Sequence, residues 1–211
     1  LHSCICMGAS IGMAHGMSKA LKDKGKGKVV GVIGDSTFLH SGIAPLMNMA
    51  YNQSDALIII LDNSTTAMTG MQEHPGTGYT LMGKETKKVN LNILISALGI
   101  ENIRVIDPNN VKEARIAIKD ELASSGPSVI IAQSPCVLFK RANQKPKPPL
   151  KVDPDACEGC RACLELNCPP IAWKKGVTKE GSKRKGIAEI DETLCNGCGL
   201  CAQVCKFGAI G

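Results

Sequence analysis

Apolar and polar residues alternate along the first two thirds of the chain in blocks of two kinds. Short apolar runs, "KVVGVIG" at 28–34, "DALIIILDN" at 55–63, "ENIRVIDP" at 101–108 and "PSVIIAQSP" at 127–135, have the length of strands. Between them, 41–53, about 88–98 and about 110–124 carry helical spacing. Strands that read as apolar throughout are buried on both faces. The alternation therefore predicts an α/β domain built on a parallel sheet covered on both sides, the doubly wound class. The longest unbroken apolar run, 56–61, is far too short to cross a bilayer, so no membrane segment is expected.

The pattern changes near residue 140. "QKPKPPL" at 144–150 can extend neither a sheet nor a helix and reads as a semi-rigid spacer. The 211 residues divide into an α/β domain at 1–140, a Pro/Lys-rich linker at 141–150 and a small α+β domain at 151–211. The chain opens on Leu, without a basic segment followed by an apolar core. It is expected to be a piece of a longer cytoplasmic protein.

The net charge of +6 is concentrated in "KRANQKPKPPLK" at 140–151 and "KKGVTKEGSKRKG" at 174–186. Three Phe, two Tyr and one Trp offer little for bases to stack on, which disfavours nucleic acid. Solvated linker and hairpin are the plain reading of both runs. A docking face for an acidic protein, with Lys183, Arg184 and Lys185 at its centre, is the alternative.

Cysteines carry the strongest signal. Cys157, Cys160, Cys163 and Cys168 form one run, and Cys195, Cys198, Cys201 and Cys205 a second. Zinc would take two pairs of ligands and leave the third cysteine of each run idle, while a disulfide framework would imply secretion. Thiolates at steps of three wrap an iron–sulfur core, and two [4Fe-4S] clusters are expected. Gly159, Gly197 and Gly199 suit a backbone that turns tightly around sulfur. Residues 151–211 resemble a bacterial-type two-cluster ferredoxin. The resemblance implies crossed ligation: Cys157, Cys160, Cys163 and Cys205 for one cluster, Cys195, Cys198, Cys201 and Cys168 for the other. Four residues rather than three precede Cys168, and Lys206 follows Cys205 where proline is usual. Cys4, Cys6 and Cys136 read as idle thiols.

An electron relay needs a donor or an acceptor. Gly34, Asp35 and Ser36 end the first strand, and Asn63 lies 28 positions after Asp35 at the end of the second. Ends of adjacent parallel strands form a ligand crevice. A carboxylate, an amide oxygen and a loop carbonyl make the oxygen set that Mg²⁺ prefers, and Gly34 would let the backbone approach a diphosphate. The plainer alternative is a strand–turn–helix capped by Asp35. His40 and His74 are candidates for touching substrate, with structural roles as the alternative.

"GDS" followed by 26 residues and Asn63 resembles the thiamine diphosphate signature. "GDSTFLHSG" with "LDNSTTAMTGMQEHPG" is similar to the large subunit of the indolepyruvate:ferredoxin oxidoreductases, in its C-terminal part, and the likeness covers nearly the whole chain. It implies Mg²⁺ held by Asp35, Asn63 and the carbonyl of Thr65, with Gly8, Ala9, Ser10, Gly34 and Ser36 against thiamine diphosphate. Ser36 replaces the glycine of the general motif, and Glu73 stands where the family has proline. Oxidative decarboxylation of a 2-oxo acid, acyl transfer to coenzyme A and electron delivery to ferredoxin are also implied. So are a smaller beta subunit and an N-terminal part of the same subunit that supplies the activating carboxylate. A pyruvate or branched-chain oxidoreductase, and a non-catalytic electron-transfer module, remain as alternatives.

Overall fold

The computed structural model describes residues 2–21, 27–139, 147–178 and 184–211. Two compact units result, Leu1–Asn143 and Gln144–Gly211. The first carries a four-stranded sheet of β1 (Val29–Gly34), β2 (Ala56–Asp62), β3 (Asn102–Ile106) and β4 (Ser128–Gln133). Its order is β1-β2-β4-β3 and every pairing is parallel.

Alternate residues of the strands serve opposite faces. Ile58 and Ile60 of β2 enter a core shared with α1 (Ser10–Leu21), α3 (Ile43–Tyr51) and α4 (Leu91–Ala97), while Leu57 packs with Ala117 of α5 (Val111–Ala123). Among the described residues, three helices thus cover one face and a single helix the other. Because α5 reaches only the β2–β4–β3 side, Val30 and Val32 of the edge strand β1 stay exposed, and coverage of the second face is less complete than the apolar runs predict. Asn90 and Asn110 cap α4 and α5, each accepting the N–H three residues on. The helix α1 was not expected from the sequence. It buries only Ile11, Ala14 and Ser18, and Gly12 and Gly16 blur its helical signal.

Asp35 opens α2 (Asp35–Thr37), which continues through a π-helical turn at Phe38–Gly42 into α3. Pro45 lacks the N–H that would close an α-helical bond to Ser41, which favours the wider turn. A Cβ on Gly42 would stand 2.6 Å from Cδ2 of the fully buried Phe38 and 3.2 Å from Cδ1 of Ile11. Gly42→Ala should therefore cost about 1–3 kcal/mol through overpacking. An unchanged midpoint in denaturant unfolding would count against that packing argument.

The second unit is a small α+β fold. Strands β5 (Ile171–Lys175) and β6 (Gly186–Ile190) form an antiparallel hairpin whose tip, 179–183, lies outside the described residues. Val152 bridges Ile210, and Lys151 and Gly211 exchange N–H···O bonds of 2.8 and 3.1 Å, so the start of the unit is laced to the chain end. Leu150, Val152, Ile190 and Ile210 pack with Cys163 and Cys201 in its core. Residues 147–150 of the expected linker lie against this unit: Leu150 N–H donates to Cys195 Sγ at 3.5 Å, and Gly197 faces the Pro148 carbonyl too closely for any Cβ. Most of that linker lies outside the described residues. Among the described residues, no helix is long and apolar enough to cross a membrane.

Candidate functional site

Strands β1 and β2 run in register, Gly34 opposite Leu61, so the segments that follow them emerge side by side. Asp35, only 3% exposed, sits at the mouth of this crevice. Its Oδ1 accepts Ser36 N–H at 2.8 Å and its Oδ2 accepts Ser64 N–H at 3.0 Å. Burial raises the Asp35 pKa, but His74 and the Ser36 N–H outweigh that and hold the carboxyl below the ordinary carboxylate range. It is ionised at neutral pH.

Asn63 accepts Thr65 N–H on Oδ1 at 3.2 Å. Ser64, between them, takes a left-handed backbone with φ +63°, which turns its N–H onto Asp35 and, at 3.0 Å, onto Oδ1 of Asp62. Asp62 is itself buried and anchored by Gln133 Nε2 at 2.7 Å. Two buried carboxylates thus share one amide.

Asp35, Asn63 and the Thr65 carbonyl offer hard oxygens of the kind Mg²⁺ takes. Two further observations fit a bound polar ligand. Among the described residues, the buried hydroxyls of Ser10 and Thr65 have no hydrogen-bond partner. Gly34 has the extended conformation of φ −78° and ψ 156° open to any residue, and nothing lies within 4 Å of where its Cβ would be. The protein itself does not require glycine there. The space beside this backbone is open to a ligand.

Gly8, with φ +88°, has no room for a Cβ against Ser41, which brings the 8–10 loop onto the helical turn that follows Asp35. Ala9 caps α1 by accepting Met13 N–H at 2.9 Å. The Ser36 N–H is taken by Asp35. The Ser36 hydroxyl accepts from Thr66 Oγ1 at 2.8 Å and lies 3.4 Å from His40 Nδ1. His40 is exposed beside the site. His74, expected on the substrate side, is buried and has Nε2 3.5 Å from Asp35 Oδ2. Asp62, Ser64 and Thr66 escaped the sequence reading. Only Asp62 carried a visible signal, a charged residue closing an apolar strand.

In the second unit, burial and neighbouring sulfurs push selected thiol pKa values up. For Cys163 burial is the larger cause and the neighbouring sulfurs are those of Cys157, Cys160 and Cys205; for Cys168, after burial, the neighbours are Cys198 and Cys195, and for Cys201 again Cys198 and Cys195. Cys205 therefore lies with the first run and Cys168 with the second. A cavity with an empty volume of ≈ 360 Å³, counting its open mouth, is lined by Cys157, Cys160, Cys163 and Cys205, with Arg161 and Trp173 on its wall. Gly159, Gly197 and Gly199 have φ of +66°, +67° and +83°. Ala209 N–H donates to Cys205 Sγ at 3.3 Å, the kind of contact that tunes a cluster. The additional residue before Cys168 is absorbed by a 3-10 turn, Leu164–Leu166, ending at left-handed Asn167. Among the described residues, no three His, Cys, Asp or Glu groups converge on one point as a single metal ion would need. Arg184 is buried and donates to the carbonyls of Pro154, Cys157 and Thr178, so it is not a docking charge, and Lys183 lies outside the described residues.

Residues 2–132 match the family model for the C-terminal TPP-binding domain of thiamine pyrophosphate enzymes. The chain belongs to the thiamine pyrophosphate enzymes. Residues 188–211, with Cys195, Cys198, Cys201 and Cys205, match a 4Fe-4S binding domain. This member of the family is 40% identical over 220 residues to "Indolepyruvate oxidoreductase subunit IorA" of Pyrococcus horikoshii, covering 97% of this chain and 33% of that protein. It is 39% identical to the protein of the same description from Archaeoglobus fulgidus, over 98% of this chain and 31% of the relative. The chain thus spans about a third of the length of these relatives. A solved thiamine diphosphate-dependent 4-hydroxybenzoylformate decarboxylase from Rhodococcus jostii is similar over 61% of this chain and 23% of its own, at 26% identity and a TM-score of 0.45.

Proposed function

We propose that the chain is the cofactor-binding and electron-relay portion of a thiamine diphosphate-dependent 2-oxo acid:ferredoxin oxidoreductase acting on indolepyruvate and related aryl pyruvates. The observation that carries this reading is one chain combining a TPP-binding domain with two sets of neighbouring cysteines, along almost the full length of its likeness to an indolepyruvate oxidoreductase subunit. In the balanced reaction a 2-oxo acid and coenzyme A give acyl-CoA, CO₂ and one proton, and two ferredoxins each take one electron. Thiamine diphosphate supplies the electron sink for decarboxylation.

The residues of this chain divide the work. Asp35, Asn63 and the Thr65 carbonyl hold Mg²⁺. Gly8, Ala9, Ser10, Gly34 and Ser36 shape the cradle for the cofactor, with Gly34 leaving the space a side chain would fill. His40, with Nδ1 toward the Ser36 hydroxyl, is the candidate to exchange a proton with substrate. One [4Fe-4S] cluster belongs to Cys157, Cys160, Cys163 and Cys205, the other to Cys195, Cys198, Cys201 and Cys168. The α/β domain at 1–140, the linker at 141–150 and the cluster domain at 151–211 form part of a longer cytoplasmic subunit. That subunit works with a smaller beta subunit and delivers electrons to ferredoxin.

The test is an anaerobic assay of the complete enzyme with indolepyruvate, phenylpyruvate and pyruvate in turn, following reduction of ferredoxin. Coenzyme A-dependent reduction that is fastest with an aryl pyruvate is expected. Preference for pyruvate would move the chain to another 2-oxo acid, and no reduction with any of them would leave an electron-transfer module.

A further inference from the structure

His74 is fixed from two sides. Its Nδ1 accepts the N–H of Gly76 at 3.1 Å, so that nitrogen carries no proton and the neutral ring holds its hydrogen on Nε2. Nε2 stands 3.5 Å from Asp35 Oδ2, with both side chains almost fully enclosed, 1% and 4% exposed. At 3.5 Å the contact is a long electrostatic one rather than a full hydrogen bond, and it lies among the influences that lower the Asp35 pKa. The ring has little freedom to leave. A Cβ on Gly76 would stand 2.9 Å from His74 Cε1 and 3.2 Å from Leu39 Cδ1, so glycine at 76 is what lets the loop close over the imidazole.

The geometry points to His74 as a positioning residue for the metal carboxylate, through its Nε2–H, and not as a group that meets substrate. This inference rests on the Mg²⁺–diphosphate reading of the Asp35 site and deepens it. Three N–H groups surround Asp35: Ser36 N–H at Oδ1, Ser64 N–H and His74 Nε2–H at Oδ2. Two belong to backbone and survive any side-chain change. His74 supplies the third, the one that mutation can remove. A carboxylate held on three sides keeps one orientation, which suits Mg²⁺, whose octahedral shell tolerates little distortion, better than Ca²⁺, whose shell is larger and more adaptable.

Two substitutions separate this role from packing. The amide oxygen of His74→Asn can take the place of Nδ1 and still accept Gly76 N–H, but it leaves nothing at Nε2. The terminal amide of His74→Gln reaches the Nε2 position and can donate to Asp35. Thiamine diphosphate binding to the complete enzyme is measured at increasing Mg²⁺, then at increasing Ca²⁺. The expected result for His74→Asn is a Mg²⁺ requirement raised about 10–100-fold, the scale of losing an outer partner of a metal ligand, with a smaller change for Ca²⁺. His74→Gln should stay within a few-fold of the parent for both cations, on the order of the spread among retained contacts. Equal Mg²⁺ requirements in both variants, whether raised or unchanged, would overturn the proposal, as would an unaltered preference for Mg²⁺ over Ca²⁺ in His74→Asn. Asp35→Asn run alongside separates the two levels: if it too binds the diphosphate normally, the metal reading of the site has failed and not only the role of His74.

Discussion

Asp35→Asn is expected to remove Mg²⁺-dependent binding of thiamine diphosphate, weakening it by more than the roughly 100-fold that marks the upper end for loss of an outer partner. The substitution is nearly isosteric, so the crevice between β1 and β2 keeps its shape. One side-chain oxygen remains to meet the N–H of Ser36 or Ser64. What disappears is a charge held ionised at 3% exposure, next to the buried Asp62. Calorimetric titration of the complete enzyme with the diphosphate, with and without Mg²⁺, reads the effect directly. Binding that keeps its strength and its Mg²⁺ dependence would remove Asp35 from the metal site.

The same residue has a signature in the metal-free protein. Because its folded pKa lies below the ordinary value, the Asp35 carboxylate contributes stability that is present above its unfolded pKa of about 3.9. That contribution is lost as pH falls through the lower folded value. Below about pH 4 the parent should therefore lose stability more steeply than Asp35→Asn, which has no proton to take up at this position. Parallel acid-unfolding curves would mean that the hydrogen bonds around Asp35 do not favour its charged form.

How far the molecule is legible from its sequence depends on how local each feature is. All four parallel strands lie within one or two residues of the apolar runs that predict them, because Ile58 and its neighbours in β2 serve two cores at once and leave no polar position to confuse the pattern. Helix α1 is not legible: its three buried residues are spread over twelve, and its two glycines argue against a helix. At the site, Asp35 and Asn63 can be paired by counting residues, since a crossover of that length returns the chain to the adjacent strand end. The roles of Ser64 and His74 cannot be counted. They depend on a left-handed turn at a non-glycine residue and on a loop that folds back over Asp35 from ten or more residues away, and neither leaves a periodic trace. Arg184 shows the opposite error: a residue in a basic run that reads as surface charge is buried and consumed by three backbone carbonyls.

Cys205→Ala should cost one cluster, and not the one its sequence neighbours hold. Cys205 follows Cys201 by four residues, so proximity along the chain would assign it to Cys195, Cys198 and Cys201. In space it leaves helix α6 (Leu200–Val204) on an extended residue, φ −76° and ψ 107°, and joins the wall of the cavity formed by Cys157, Cys160 and Cys163. The lacing of Lys151 and Asp153 to Ala209 and Gly211 holds the chain end beside that first run, while the left-handed Asn167 turns Cys168 toward Cys195 and Cys198. Each run thus has beside it a fourth cysteine from the other run. Anaerobic iron analysis of Cys205→Ala should fall from about eight irons to about four. Alkylation followed by peptide mapping then decides the pairing. With crossed ligation Cys157, Cys160 and Cys163 become reactive, while Cys195, Cys198, Cys201 and Cys168 stay protected; Cys168→Ala gives the reverse. If Cys195, Cys198 and Cys201 are the ones released by Cys205→Ala, each run closes its own cluster and the antiparallel lacing of Lys151–Asp153 to Ala209–Gly211 has no part in ligation.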